Sequence, residues 1–107
     1  MAETLTEFFE AKVAGKLAAA PDLAEKVGAV YQFKIGGEGG GDWVVDLVKS
    51  EVRAGEAEAP DCTISMNGGD FISMVSGKLR PEMAFMMGKL KVTGDRMLAM
   101  KLSEILK

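Results

Sequence analysis

The chain has no histidine and a single cysteine, Cys62. Without histidine there is no imidazole general base, no Ser–His or Cys–His nucleophile pair and no imidazole metal site. One cysteine excludes an intramolecular disulfide and every metal site that needs two or four thiolates. No stretch approaches the run of about 18 apolar residues that a membrane-spanning helix requires. A length of 107 residues fits one domain with one core, spanning residues 1–107.

What is abundant is methionine. Seven of the 8 are internal, and all of them fall between Met66 and Met100. Such soft, adaptable side chains either fill an irregular core or line a space for a variable apolar ligand. The net charge is −3 and unevenly spread: residues 1–61 carry 6 basic against 12 acidic side chains, residues 62–107 carry 7 against 4. An acidic chain is a poor general nucleic-acid binder, so no nucleic-acid partner is expected. The weakly basic second half would suit transient contact with an anionic membrane surface.

Thr4, Thr6 and Glu7 read as a capping box, followed by an apolar helical stripe at Leu5, Phe8, Phe9, Val13 and Leu17. Pro21 opens a second short helix and Gly28 stops it. The period then changes to two. Tyr31, Phe33 and Ile35 alternate with Gln32 and Lys34, and Trp43, Val45 and Leu47 repeat the pattern after the Gly-rich turn 36–41. This predicts a β-hairpin over 29–49. The glycines lead into a strand and lack phosphate-loop spacing, so they make a flexible turn. A short strand at 51–54 and another through Cys62, Ile64 and Met66 follow.

Asn67 with Asp70 marks a helix start, and Gly77 its stop. Pro81 and Gly88 bracket a further helix containing Met83, Met86 and Met87. Lys89 to Thr93 reads as an edge strand with charged alternate positions. Asp95 caps a last helix whose stripe is Leu98, Leu102, Ile105 and Leu106. The order predicts an α+β fold with the helices gathered on one sheet face. Asp46 falls opposite Trp43 and Val45, so its carboxylate is expected to face solvent or a neighbouring lysine. Cys62 shares a face with Ile64 and Met66, as a buried inert thiol does. No pair of carboxylates converges on an apolar pocket, so no enzyme activity, cofactor or metal is expected.

The residues Pro60-Asp61-Cys62-Thr63-Ile64-Ser65-Met66, and still more Ala84-Phe85-Met86-Met87-Gly88-Lys89-Leu90-Lys91-Val92-Thr93-Gly94-Asp95, resemble the sterol carrier protein-2 family of non-specific lipid-transfer proteins. The resemblance extends from about Leu5 to Lys107. It implies a five-stranded, mostly antiparallel sheet with helices covering one face and an elongated apolar tunnel between them. It also implies binding and transfer of fatty acids, fatty acyl-CoA, phospholipids or sterol-like molecules. Related domains contact a bound amphiphile through a residue just after the family's proline and another in the last helix. The matching positions here are Glu82 and Met100, where family members often carry glutamine.

The expected lipid-binding residues from the sheet are Phe33, Ile35, Trp43 and Val45. From the helices they are Phe71, Met74, Val75, Met83, Phe85, Met86, Met100 and Leu102, with Phe8 and Phe9 flanking. Lys78, Arg80, Lys89 and Lys91 would meet a phosphate or CoA head. Burying an acyl chain yields about 0.8 kcal/mol per CH₂ before association costs, so a long chain needs no specific polar contact to be held. The alternative is a filled-core domain that docks a lipid-metabolic enzyme or a membrane complex. The acidic start lacks a secretory n-region, and Ile105-Leu106-Lys107 is not a peroxisomal tripeptide, so a cytoplasmic setting is expected.

Overall fold

A computed structural model describes residues 7–19, 21–37 and 40–101. Thr4, Leu5 and Thr6 of the expected capping box, and Leu102, Ile105 and Leu106 of the last stripe, lie outside the described residues. The chain enters through a π-helical segment, Phe8–Val13, which continues as α1 (Ala14–Ala19). The sequence spacing predicts an ordinary α-helix here. The wider π turn accompanies the burial of two adjacent rings, Phe8 and Phe9, beside Val13. Next come α2 (Pro21–Val27), β1 (Val30–Gly36), β2 (Gly41–Asp46), β3 (Glu51–Ala54) and β4 (Cys62–Asn67). They are followed by α3 (Gly68–Val75), α4 (Pro81–Met86), β5 (Leu90–Gly94) and α5 (Arg96–Met100).

The sheet order is β3-β2-β1-β4-β5. Three of its four pairings are antiparallel; β1 and β4 run parallel, with Phe33 opposite Ile64. One sheet face carries Tyr31, Phe33 and Ile35 of β1, Trp43 and Val45 of β2, and Cys62, Ile64 and Met66 of β4, all buried. Helical Phe8, Phe9, Val13, Leu17, Phe71, Met74 and Ala84 close over that face to form one core. This is the α+β arrangement expected, with helices covering one face.

Local chemistry explains the element ends. The Asn67 side chain accepts the Gly69 N–H at 2.9 Å, capping α3. Asp95 does the same for the Met97 N–H at 2.9 Å, starting α5. The Tyr31 hydroxyl donates to the Leu98 carbonyl and so ties α5 to the centre of the sheet.

Two polar side chains differ from expectation. Asp46 is buried rather than facing solvent, because its Oδ1 accepts the N–H groups of Val48 and Lys49, each at 3.0 Å. Closing the turn after β2 satisfies the carboxylate locally. Gln32 is also buried, although it alternates with the core residues of β1. The segment after β3 folds behind the sheet: the Gln32 Oε1 accepts the Ala57 N–H at 2.6 Å, and its Nε2 lies 3.0 Å from the Gly55 carbonyl and 3.2 Å from that of Trp43. Replacing Gln32 with leucine keeps the bulk and strands these backbone groups. It is expected to cost about 1–3 kcal/mol, read as a lower urea midpoint at unchanged m-value. A midpoint equal to that of the native chain would show that water satisfies those groups instead.

Candidate functional site

At the β5 edge the core face runs out into open space. Leu90 and Val92 stand opposite Met66 and Ile64 of β4, on the core side of the sheet, and no strand lies beyond them among the described residues. The helices α4 and α5 rise on either side in sequence. Between these elements lies a pocket of about 340 Å³, lined by Pro81, Glu82, Phe85 and Met86 of α4, Leu90 and Val92 of β5, and Arg96 and Met100 of α5. Six of the eight lining residues are apolar.

The local sequence explains why α4 forms a wall and not a core helix. Pro81 occupies its first turn, and Gly88 at φ +76° ends it, so the helix is only 6 residues long. Only Ala84 is buried against the sheet. Phe85 is 47% exposed, Met86 79% and, on α5, Met100 78%, so large apolar side chains stand at the surface without being needed by the core. A contiguous exposed apolar surface of this kind is a feature of ligand-binding and docking sites.

The expected lipid-contacting residues fall into distinct groups. Glu82, Phe85, Met86 and Met100 come together at the pocket. Phe8, Phe33, Ile35, Trp43, Val45, Phe71 and Met74 lie in the buried core and do not line it. Their rings meet through Phe9, which stacks on Trp43 with centroids 5.1 Å apart and on Phe71 at 5.5 Å. These rings pack against one another on the helix-covered face of the sheet, and the pocket described above lies apart from them at the β5 edge. Val75 is half-buried against the core, and Met83 is 48% exposed on α4 outside the lining. Leu102 lies outside the described residues. Of the internal methionines, Met66 and Met74 are buried, Met86 and Met100 line the pocket, and Met83, Met87 and Met97 are surface residues.

Sequence reasoning missed Leu90, Val92 and Arg96 as lining residues. Leu90 and Val92 alternate with Lys89 and Lys91, so their shared face was legible; that the face opens on a pocket depends on how short α4 is. Lys78, Arg80, Lys89 and Lys91 are exposed and outside the lining, and Lys89 lies 3.8 Å from Asp70.

Nucleophilic chemistry finds little support. Cys62 is fully buried, and burial, helped by the negative charges of Asp95 and Asp61, pushes its thiol up to about 11. It is therefore protonated and shielded at neutral pH. Burial likewise raises the Tyr31 phenol above its ordinary range, with Cys62 and Asp95 adding to the effect. Among the described residues, no group of three His, Cys, Asp or Glu side chains is placed to hold a metal. None of the described helices is long and apolar enough to cross a membrane.

The profile of the SCP-2 sterol transfer family matches residues 9–107. Among curated proteins, the chain is 48% identical over 80 residues to the Hydroxysteroid dehydrogenase-like protein 2 of Xenopus laevis, covering 72% of this chain and 19% of that one. The Homo sapiens protein of the same name is 42% identical over 88 residues, covering 79% and 21%. The chain thus spans about a fifth of the length of these relatives. Among solved structures, the Aedes aegypti Sterol Carrier Protein-2 in complex with palmitate, a C16 fatty acid, superposes with a TM-score of 0.79 at 26% identity, covering 99% of this chain and 96% of that one. The apo Sterol Carrier Protein 2 of Yarrowia lipolytica gives 0.76 at 25% identity, covering 94% and 82%.

Proposed function

Because this chain belongs to the SCP-2 sterol transfer family, we propose that it takes up a single-chain lipid, a fatty acid or the acyl part of a fatty acyl-CoA, in the pocket between α4, β5 and α5. Sterol-like molecules are the next ligand class. The observation that carries this reading is the pocket itself: about 340 Å³ of space whose lining is apolar except for Glu82 and Arg96. Transfer of a buried chain from water to such a lining is favourable without directed bonds. No step breaks or makes a covalent bond; the work is burial, release and delivery. Transient contact with a membrane surface through the exposed α4 methionines would allow loading.

The relatives named above carry the matching segment within a much longer dehydrogenase-like chain. Presenting an apolar substrate to a catalytic unit is the partner role we assign to this domain. A second reading, a docking domain with a filled core, draws on the closely packed rings around Phe9.

Native mass spectrometry of protein taken from cell extract, followed by displacement of a fluorescent fatty acid with palmitate and a long-chain acyl-CoA, separates the two. Co-purified lipid and displacement support the carrier. A carboxylate placed in the lining by Met86→Glu is expected to weaken palmitate binding about tenfold, since burial of the chain would desolvate the charge. Met97→Glu, at an exposed methionine outside the lining, leaves affinity unchanged. Absence of any displacement would favour the docking domain. Equal losses in both variants would place the lipid elsewhere on the molecule.

A further inference from the structure

An apolar pocket with one guanidinium and one carboxylate in its wall discriminates among ligand heads. Glu82 stands in the first turn of α4 and Arg96 opens α5, so the two charges belong to different walls of the same space. Among the described residues, neither is in an ion pair. Arg96 is on an anchored element: the Asp95 carboxylate caps the turn that follows it, and Tyr31 bonds the Leu98 carbonyl one turn on. Along the chain, basic residues outnumber acidic ones beside the lining positions. Exposed Arg80, Lys91 and Lys101 adjoin lining residues Pro81, Leu90 and Met100 in sequence, against Glu82 and Asp95 as the neighbouring acids.

We propose that Arg96 receives the carboxylate of a single-chain amphiphile whose tail lies on Leu90, Val92 and Phe85, and that Glu82 turns the anionic head away from the α4 wall. The ligand class is thereby narrowed to long-chain monocarboxylates over neutral alcohols or sterols. A guanidinium presents paired N–H donors in a plane that matches a carboxylate, which makes it a better head-group receiver than a lysine. The same-sign neighbour Glu82 gives the ligand a preferred direction, because a carboxylate head beside it would be repelled. This assignment rests on the lipid-carrier reading of the pocket.

The test compares three amphiphiles of equal chain length and different head charge: dodecanoate, dodecanol and dodecylammonium. Binding is measured by isothermal titration calorimetry below the critical micelle concentrations. The native chain is expected to bind dodecanoate about three- to tenfold more tightly than dodecanol, in the range of a partly exposed charge-assisted contact, and dodecylammonium most weakly. Arg96→Gln should erase the preference for dodecanoate, bringing its affinity to within twofold of that for dodecanol in the same variant. Glu82→Gln should strengthen dodecanoate about twofold. Raising the salt to 0.5 M should shrink the dodecanoate preference and spare dodecanol. If dodecanoate and dodecanol bind equally and Arg96→Gln alters neither, the head-group assignment is wrong while the carrier reading stands. If none of the three binds, both fall together.

Discussion

Gly94→Ala is expected to destabilise the fold by roughly 3 kcal/mol or more, through a combination of backbone strain and a forced collision. Gly94 ends β5 at φ +98°, a conformation that L side chains rarely adopt. A Cβ added there would lie 2.4 Å from the carbonyl oxygen of Asp61 and 3.2 Å from its carbon. Asp61 has no freedom to retreat. Its N–H donates to the Val30 carbonyl at 2.9 Å, its carboxylate accepts the Val30 N–H at 2.9 Å, and its carbonyl accepts the Asp95 N–H at 3.0 Å. Either the end of β5 moves or the crossing beside β1 does, and each movement breaks ladder bonds. Gly77→Ala serves as the comparison. Gly77 is at φ +87°, yet nothing lies within 4 Å of its added Cβ, so that variant bears strain alone, about 1 kcal/mol. Equilibrium urea unfolding of both variants gives the difference. Equal losses would show that the Asp61 contact relaxes freely.

Phe9→Ala is expected to cost about 4 kcal/mol, within the range for truncating a buried aromatic ring. Phe9 is fully buried. Its ring lies 5.4 Å from Phe8, 5.2 Å from Phe33, 5.1 Å from Trp43 and 5.5 Å from Phe71, centroid to centroid. It is thus the hub through which the entering helix meets two strands and α3. Its removal leaves a void that four rigid rings cannot collapse into without leaving their rotamers. Phe85→Ala, at a ring half in solvent on the pocket wall, should cost less than about 1 kcal/mol. A loss under 2 kcal/mol for Phe9→Ala would mean that the core repacks, and that the space between helix and sheet is more adaptable than its ring contacts indicate.

Much of the architecture was legible because it is written in periodicity. The alternation through Tyr31, Phe33 and Ile35, and again through Trp43 and Val45, marks β1 and β2 with their common buried face. Asn67, Pro81, Gly88 and Asp95 punctuate the helices where their chemistry demands. Other features depend on contacts between segments remote in sequence. No local pattern tells β4 to lie parallel to β1. The burial of Gln32 follows from the backbone at Gly55 and Ala57 passing behind it, which its own neighbours do not foretell. The candidate site was half legible for the same reason. Met83, Met86 and Met87 have the spacing of a buried stripe, and the same spacing serves a helix whose apolar side chains stand at a pocket or in solvent. Only the short reach of α4, which commits Ala84 alone to the core, decides between them. Glu82, Phe85, Met86 and Met100 entered through family resemblance and composition. Arg96 carried no signal, since a cation following a helix cap is ordinary until a pocket lies beside it.

The parallel pairing at the centre of the sheet also divides the molecule kinetically. β1, β2 and β3 are consecutive and joined by short turns, so they can assemble as a local meander. β4 joins only when the chain closes a long loop back onto β1, and β5 can then add to β4 alone. The strand that floors the pocket is therefore held by a single ladder, on the part of the sheet that depends on the late closure. Local opening there breaks fewer bonds than unfolding the meander, so β5 is expected to open at a lower free energy than β1. Amide exchange should accordingly be faster along β5 than along β1.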